Sequence, residues 1–451
     1  RVVPVRRNVL PVRLTFFTLL LFSGISLMTA ALFFVLPRTA RAAFQRFVPQ
    51  RYHLPGFGSQ IALGQIGELK QNSTPVMHVR AYNQRPLGML HWRGSALTTF
   101  DGRRWFNPPA REQRLRVDDG RIILPPVPVN RPGRSIGYEV ELSEIAPDTL
   151  FFAGSPETIS IQAQNLFRSA SGSIRAPRFG LAGLRYGAYS RLENEHAVPT
   201  APVPSLPIPE RDSLLQLPSL DPRVAGLARN WAAGEADPAR IAARLEEHFH
   251  TDFRYSLDGL QTEVADPLAH FLFETRKGHC EYFASSMAVM LRALGIPSRV
   301  ATGFLGGELN SLSGWQVVRA SDAHSWVEAW IPGRGWMTFD PTPPDPTVPE
   351  PTLWSHTSLL LDAADQFWRD WVLSYDLDHQ MVLASRVRST GRGTALSELI
   401  SFPNNFPAWP ISNSWYVAGG GAAALGVIVF LQRRRWWKIW NRRSRLSRVH
   451  R

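Results

Sequence analysis

Two long apolar runs frame the chain. Residues 14–36 are 23 positions without a charge, and residues 415–431 are a further 17. At about 1.5 Å per helical residue, the first run exceeds the ~30 Å of bilayer hydrocarbon, and the second lies near the lower limit. Both are predicted transmembrane helices. A secretory signal competes for the first, with Ala40-Arg41-Ala42 as a cleavage-like site. Signal cores usually run about 7–15 residues, which favours a retained span. Between the runs the period shortens. Residues 44–200 carry alternating or β-branched segments at Val76–Ala81, Ser135–Leu142, Thr158–Gln162 and Tyr186–Leu192. Such segments predict strands, and Asp101-Gly102 and Asp119-Gly120 predict turns between them. This stretch reads as a β-rich scaffold or recognition domain. Residues 201–220 are a Pro-rich linker.

From residue 221 the pattern turns helical. Asp221-Pro222, Asp237-Pro238 and Asp266-Pro267 each precede helical spacing. Asp is a favoured N-cap and Pro a favoured first helical residue, so helices should start near 222, 238 and 267. Phe253–Leu257 reads as a short strand. A fourth helix starts at His279 or Cys280, with Phe283, Met287, Met290, Leu291 and Leu294 on one face and Gly295 ending it. Strands follow at Ser298–Phe304, Trp315–Ala320, His324–Ile331 and Trp336–Asp340. Pro332-Gly333-Arg334-Gly335 joins the last two as a hairpin. The domain is bounded at 221–350. Residues 351–414 are a connector with one helix near 357–375.

Charge assigns the topology. The net charge is +13, yet residues 1–13 and 432–451 hold thirteen Lys and Arg and no acid. The remaining body carries 37 of each sign, which argues against nucleic acid as a partner. Both basic tails belong on the cytoplasmic side of a membrane. The middle section is then an ectodomain tethered at both ends, facing the periplasm or cell exterior. The chain begins with Arg, which suggests a fragment or processed form. The single cysteine, Cys280, has no intramolecular disulfide partner in that oxidising compartment.

Cys280 is the first candidate for chemistry. It opens a helix, where unpaired N–H groups and partial positive charge stabilise a thiolate. His324 begins one strand of the predicted hairpin and Asp340 ends the other, almost opposite. Cross-strand neighbours approach within roughly 4.5–8 Å, so Asp340 can orient the imidazole and the imidazole can deprotonate the thiol. His279 is expected to point away from the thiol.

Three segments then carry a resemblance. Gly278-His279-Cys280-Glu281-Tyr282-Phe283-Ala284, Asp322-Ala323-His324-Ser325-Trp326-Val327-Glu328, and Gly335-Trp336 through Phe339-Asp340-Pro341-Thr342 resemble the three motifs of the transglutaminase-like superfamily. The apolar spans and Leu90-His91-Trp92-Arg93-Gly94 through Trp105 resemble its bacterial membrane-anchored TgpA-type branch, whose members typically carry further spans upstream. The resemblance implies an α+β fold: a papain-like core with the nucleophile helix packed on an antiparallel sheet. The β-rich domain precedes that core, and two transmembrane helices flank the whole. It implies Cys280 as nucleophile, His324 as base and Asp340 as orienter, attacking a glutamine-type carboxamide of an envelope protein or peptide. An amine or water then resolves the thioester. The oxyanion would be held by the Cys280 N–H and a second donor, for which Tyr255 and Trp315 are the candidates. Glu281, Trp326 and Glu328 support the site. No cofactor or metal is implied. A cysteine peptidase acting on envelope peptides and a non-catalytic scaffold are the alternatives.

Overall fold

The computed structural model describes residues 17–28, 359–360, 362–363 and 60–344, the last apart from 84–85, 126–130, 144–147, 177–183, 195–196 and 258–263. Residues 17–28 are helical, and Phe17, Leu20, Phe22, Ile25 and Met28 on this helix are exposed. Among the described residues no helix is long and apolar enough to cross a membrane. The rest of the first expected span, the second span at 415–431 and both basic tails lie outside the described residues. Of the expected 357–375 helix, the four described residues are helical.

Two sheets organise the molecule. Their strands in chain order are β1 (Pro75–Ala81), β2 (His91–Leu97), β3 (Arg121–Ile123), β4 (Gly133–Leu142), β5 (Phe152–Ala153), β6 (Ser155–Ile161) and β7 (Arg185–Glu193). After the helical segment come β8 (Ser298–Leu305), β9 (Glu308–Leu309), β10 (Gln316–Arg319), β11 (Ala323–Ile331) and β12 (Gly335–Phe339). The seven-stranded sheet runs β9-β10-β1-β4-β7-β6-β3, and the five-stranded sheet runs β12-β11-β8-β2-β5. Every pairing in both is antiparallel.

This strand order crosses the expected boundary between the β-rich segment and the core. β2 and β5 come from the first segment yet complete the five-stranded sheet. β9 and β10 come from the second yet extend the seven-stranded one. An edge strand left alone would expose a row of unpaired backbone groups, and the exchange covers β8 and β1. The Pro-rich linker is also docked. It contains a helix at Ile208–Leu214, and Gln216 bonds both the N–H and the C=O of Phe100.

Helices start where the Asp-Pro pairs place them. They are α1 (Pro222–Trp231), α2 (Pro238–Asp252), α3 (Pro267–His270) and α4 (Cys280–Ala293). Asp221, Asp237 and Asp266 cap the first three through their side chains. α4 lies between the five-stranded sheet and α1, α2 and α3. It is therefore buried from Cys280 to Arg292 all round, not on the single face its period suggested. A helix enclosed on every side fits the absence of charge over Tyr282–Leu291.

Candidate active site

Cys280 is the first residue of α4. His279 before it is extended (φ −111°, ψ 176°) and provides no side-chain cap. Helix N-terminal polarity is thus left for the thiol. Cys280 is fully buried. β11 pairs with β12 in a register that sets Val327 opposite Phe339, so His324 and Asp340 are diagonal neighbours at the sheet end. His324 Nε2–H donates to Asp340 Oδ2 at 2.7 Å. That leaves Nδ1 for the thiol.

Asp340 is held from several directions. Its Oδ1 accepts from the Thr342 N–H at 3.1 Å, and its own N–H donates to Glu246 Oε1 at 2.7 Å. The His250 Nε2–H donates to its carbonyl at 2.8 Å.

The charges follow from these contacts. Burial pushes the His324 imidazole down, but the Asp340 charge and hydrogen bond, with Cys280, override it and raise the group to about 9. Burial also opposes the Cys280 thiolate. Hydrogen bonding to His279 and His324, with the His324 charge, outweighs burial and leaves the thiol well below its usual range. Burial pushes Asp340 up, and the His324 charge and bond hold it far below an ordinary carboxylate. The arrangement is a thiolate–imidazolium pair oriented by a carboxylate, which can perform nucleophilic attack and proton transfer.

His279 departs from expectation. Because it precedes the helix in extended backbone, its side chain is not carried away from the thiol, and it helps lower the Cys280 pKa. The ring is buried, with Nδ1 3.6 Å from Glu281 Oε2.

Glu281 accepts N–H bonds from Gly64 at 2.6 Å and Ile66 at 2.8 Å, and burial raises its carboxyl to about 7. Gly64 is left-handed (φ 104°), which a side-chain-bearing residue adopts poorly. Glu328 is a clasp: Arg93 from β2 and Arg299 from β8 both donate to it at 2.6 Å. Trp326 is buried, with its ring 6.2 Å from that of His324.

The two oxyanion candidates separate. Tyr255 lies on a two-residue strand paired with Lys277-Gly278, beside the turn into Cys280. Trp315 lies next to β10 of the other sheet, with the Arg80 and Arg185 guanidinium groups over its ring. Residues that sequence reasoning passed over include His91, whose Nε2 is 3.6 Å from Asp340 Oδ2. The signal was a His and an Arg either side of the buried Trp92 at the start of a strand. Among the described residues, His91, His324 and Asp340 bring metal-ligating atoms within 4.8 Å of one another. Ligands about 2.0–2.2 Å from a tetrahedral zinc lie roughly 3.3 Å apart. The 2.7 Å bond between His324 and Asp340 is instead a hydrogen-bonded chain.

Comparison with known proteins places this geometry. Residues 225–341 match the transglutaminase-like superfamily, and residues 4–197 match the TgpA N-terminal domain. The chain is 31% identical over 300 residues to a protein-glutamine gamma-glutamyltransferase of Pseudomonas aeruginosa, covering 65% of this chain and 42% of that protein. It is 35% identical over 139 residues to YebA of Bacillus subtilis, covering 29% of this chain and 19% of that one. The chain thus spans less than half the length of these two relatives. The crystal structure of the periplasmic domain of TgpA from Pseudomonas aeruginosa aligns with a TM-score of 0.52 at 29% identity, over 63% of this chain and 93% of that one.

Proposed function

We propose that this chain, which belongs to the transglutaminase-like superfamily and carries a TgpA N-terminal domain, is a membrane-anchored acyltransferase that opens a glutamine-type carboxamide through a thioester on Cys280. The observation that carries this reading is the 2.7 Å His324–Asp340 bond in a site whose thiol is held well below its usual pKa.

The Cys280 thiolate attacks the carboxamide carbon, and the negative charge moves to the carbonyl oxygen. The Cys280 backbone N–H at the start of α4 faces that oxygen, with Tyr255 as the second donor. His324, protonated on Nδ1, gives its proton to the amide nitrogen. The C–N bond breaks, ammonia leaves and the thioester remains. Neutral His324 then takes a proton from an incoming amine as the amine attacks the thioester. Collapse of the oxyanion breaks the C–S bond and releases the thiolate, which restores the thiolate–imidazolium pair. Asp340 stays ionised throughout and fixes which imidazole nitrogen faces the sulfur. Water in place of the amine gives hydrolysis by the same steps. The substrate is a protein or peptide of the cell envelope. The apolar runs at 14–36 and 415–431 anchor the enzyme in a bacterial inner membrane, with the catalytic region facing the periplasm. The exposed apolar side chains of helix 17–28 support that anchoring.

The test uses the full chain with a glutamine-containing peptide and a fluorescent primary amine. Ammonia release with amine incorporation, both absent in Cys280→Ala, is the expected result. Peptide cleavage without ammonia would replace this reading with a cysteine peptidase. Identical behaviour of wild type and Cys280→Ala would leave only a scaffold.

A further inference from the structure

The Leu90–Gly94 segment is not explained by the three groups at the thiol. Its residues His91 to Gly94 lie in β2, nearly two hundred residues before the nucleophile. β2 pairs with β8 so that His91 is opposite Leu305 and Arg93 opposite Gly303. Gly303 is in turn opposite His324 on β11. The sheet therefore delivers His91 and His324 to the same end.

There His91 meets Asp340. Its Nε2 is 3.6 Å from Asp340 Oδ2, the oxygen that already accepts from His324. The carboxylate oxygen thus stands between two imidazoles. The His91 ring packs on Trp326 with centroids 4.7 Å apart, and its centroid is 6.1 Å from that of His324. Nε2 itself is buried and without a hydrogen-bond partner, although the side chain as a whole is 35% exposed. Buried ring nitrogens normally find partners. The group within a few tenths of an ångström of bonding distance is Asp340. Packing on Trp326 needs only a flat ring. The unpaired nitrogen turned toward the carboxylate needs another explanation.

We propose that His91 is a positioning residue that donates Nε2–H to Asp340 Oδ2 when the site is engaged, and so locks the carboxylate in the plane His324 requires. The inference rests on the acyl-transfer reading of Cys280, His324 and Asp340. It gives the region before residue 200 a direct part in the chemistry. Thr342 bonds one oxygen of Asp340, His324 bonds the other, and the backbone is held at both ends. His91 adds a second donor at the oxygen that His324 uses, and so resists tilting of the carboxylate out of the imidazole plane.

Three forms of the full chain test this, all in EDTA to keep stray cations off the imidazoles: wild type, His91→Phe and His91→Gln. Phe keeps a ring on Trp326 and removes the donor. Gln restores an N–H near the Nε2 position. Two readouts are taken: kcat and KM for amine incorporation, and the rate at which iodoacetamide alkylates Cys280, the only cysteine. His91→Phe is expected to lower kcat about tenfold with KM little changed, the size of one hydrogen bond lost only in the transition state. Alkylation should slow in parallel. His91→Gln should recover most of both. Full kcat in His91→Phe would overturn the proposal. So would a loss in His91→Gln as large as in His91→Phe. If His91→Phe does not fold, His91→Leu is read in its place. Wild type that alkylates at Cys280 but releases no ammonia would fail the acyl-transfer reading instead, and the alkylation series would still judge His91.

Discussion

At Asp340 one carboxylate serves two imidazoles and a backbone N–H, and its charge sets the proton affinity of His324. Because Asp340 raises His324 to about 9, the imidazolium persists through neutral pH and is lost as the pH climbs through that value. Activity should therefore show a basic limb near pH 9. In Asp340→Asn the charge that raises His324 is gone, so the basic limb should move down. The rate constant kcat should fall by up to about 10⁴-fold, as when the orienting carboxylate of an analogous triad is neutralised. A pH profile of amine incorporation for both forms checks this, and an unmoved basic limb would contradict it. At this scale much was legible. A lone Cys at a helix start, a His at one strand end and an Asp at the next are local features. His279 departs from expectation because it precedes the helix, and its extended backbone keeps the ring at the thiol.

Elements were legible where a cap or turn residue declared them. The three Asp-Pro starts, the 332–335 hairpin and Gly295 behind α4 (φ 78°) all reflect rules acting within a few residues. The close contact of β2 with β8 was not. At Gly303 a Cβ would come within 1.9 Å of the Trp92 carbonyl oxygen, where the β2–β8 register shifts. Trp92 is fixed at its other end, because its indole N–H donates to the Gly306 carbonyl at 2.9 Å. Backbone cannot yield as a side-chain tip can. Gly303→Ala should cost about 1–3 kcal/mol of stability, read as a lowered urea midpoint. An unchanged midpoint would mean that the strands are not so closely apposed.

The whole molecule interleaves two segments that the sequence presents as successive domains. Strand pairing over some two hundred residues leaves no trace in a local period, since β-propensity reports only a half-buried pleated surface. Glu328 shows how the join is held. Burial alone would raise its carboxyl, yet Arg93 from the first segment and Arg299 from the second hold it at about 2. A carboxylate depressed in the folded state contributes stability above its unfolded pKa, and loses that contribution as pH falls toward its folded value. Glu328→Gln should thus be less stable than wild type at neutral pH by on the order of 3 kcal/mol. The difference should shrink below pH 4 and vanish near pH 2. Thermal unfolding of both proteins across that range measures it, and a constant difference would detach Glu328 from acid stability.

The central claim is that Cys280 is an activated nucleophile. The pH dependence of Cys280 alkylation in the full chain tests it most directly, since the chain has no other thiol. The apparent thiol pKa should lie well below the ~8.5 of a free cysteine and should rise in His324→Ala. A value at or above ~8.5 that is the same in His324→Ala would contradict it.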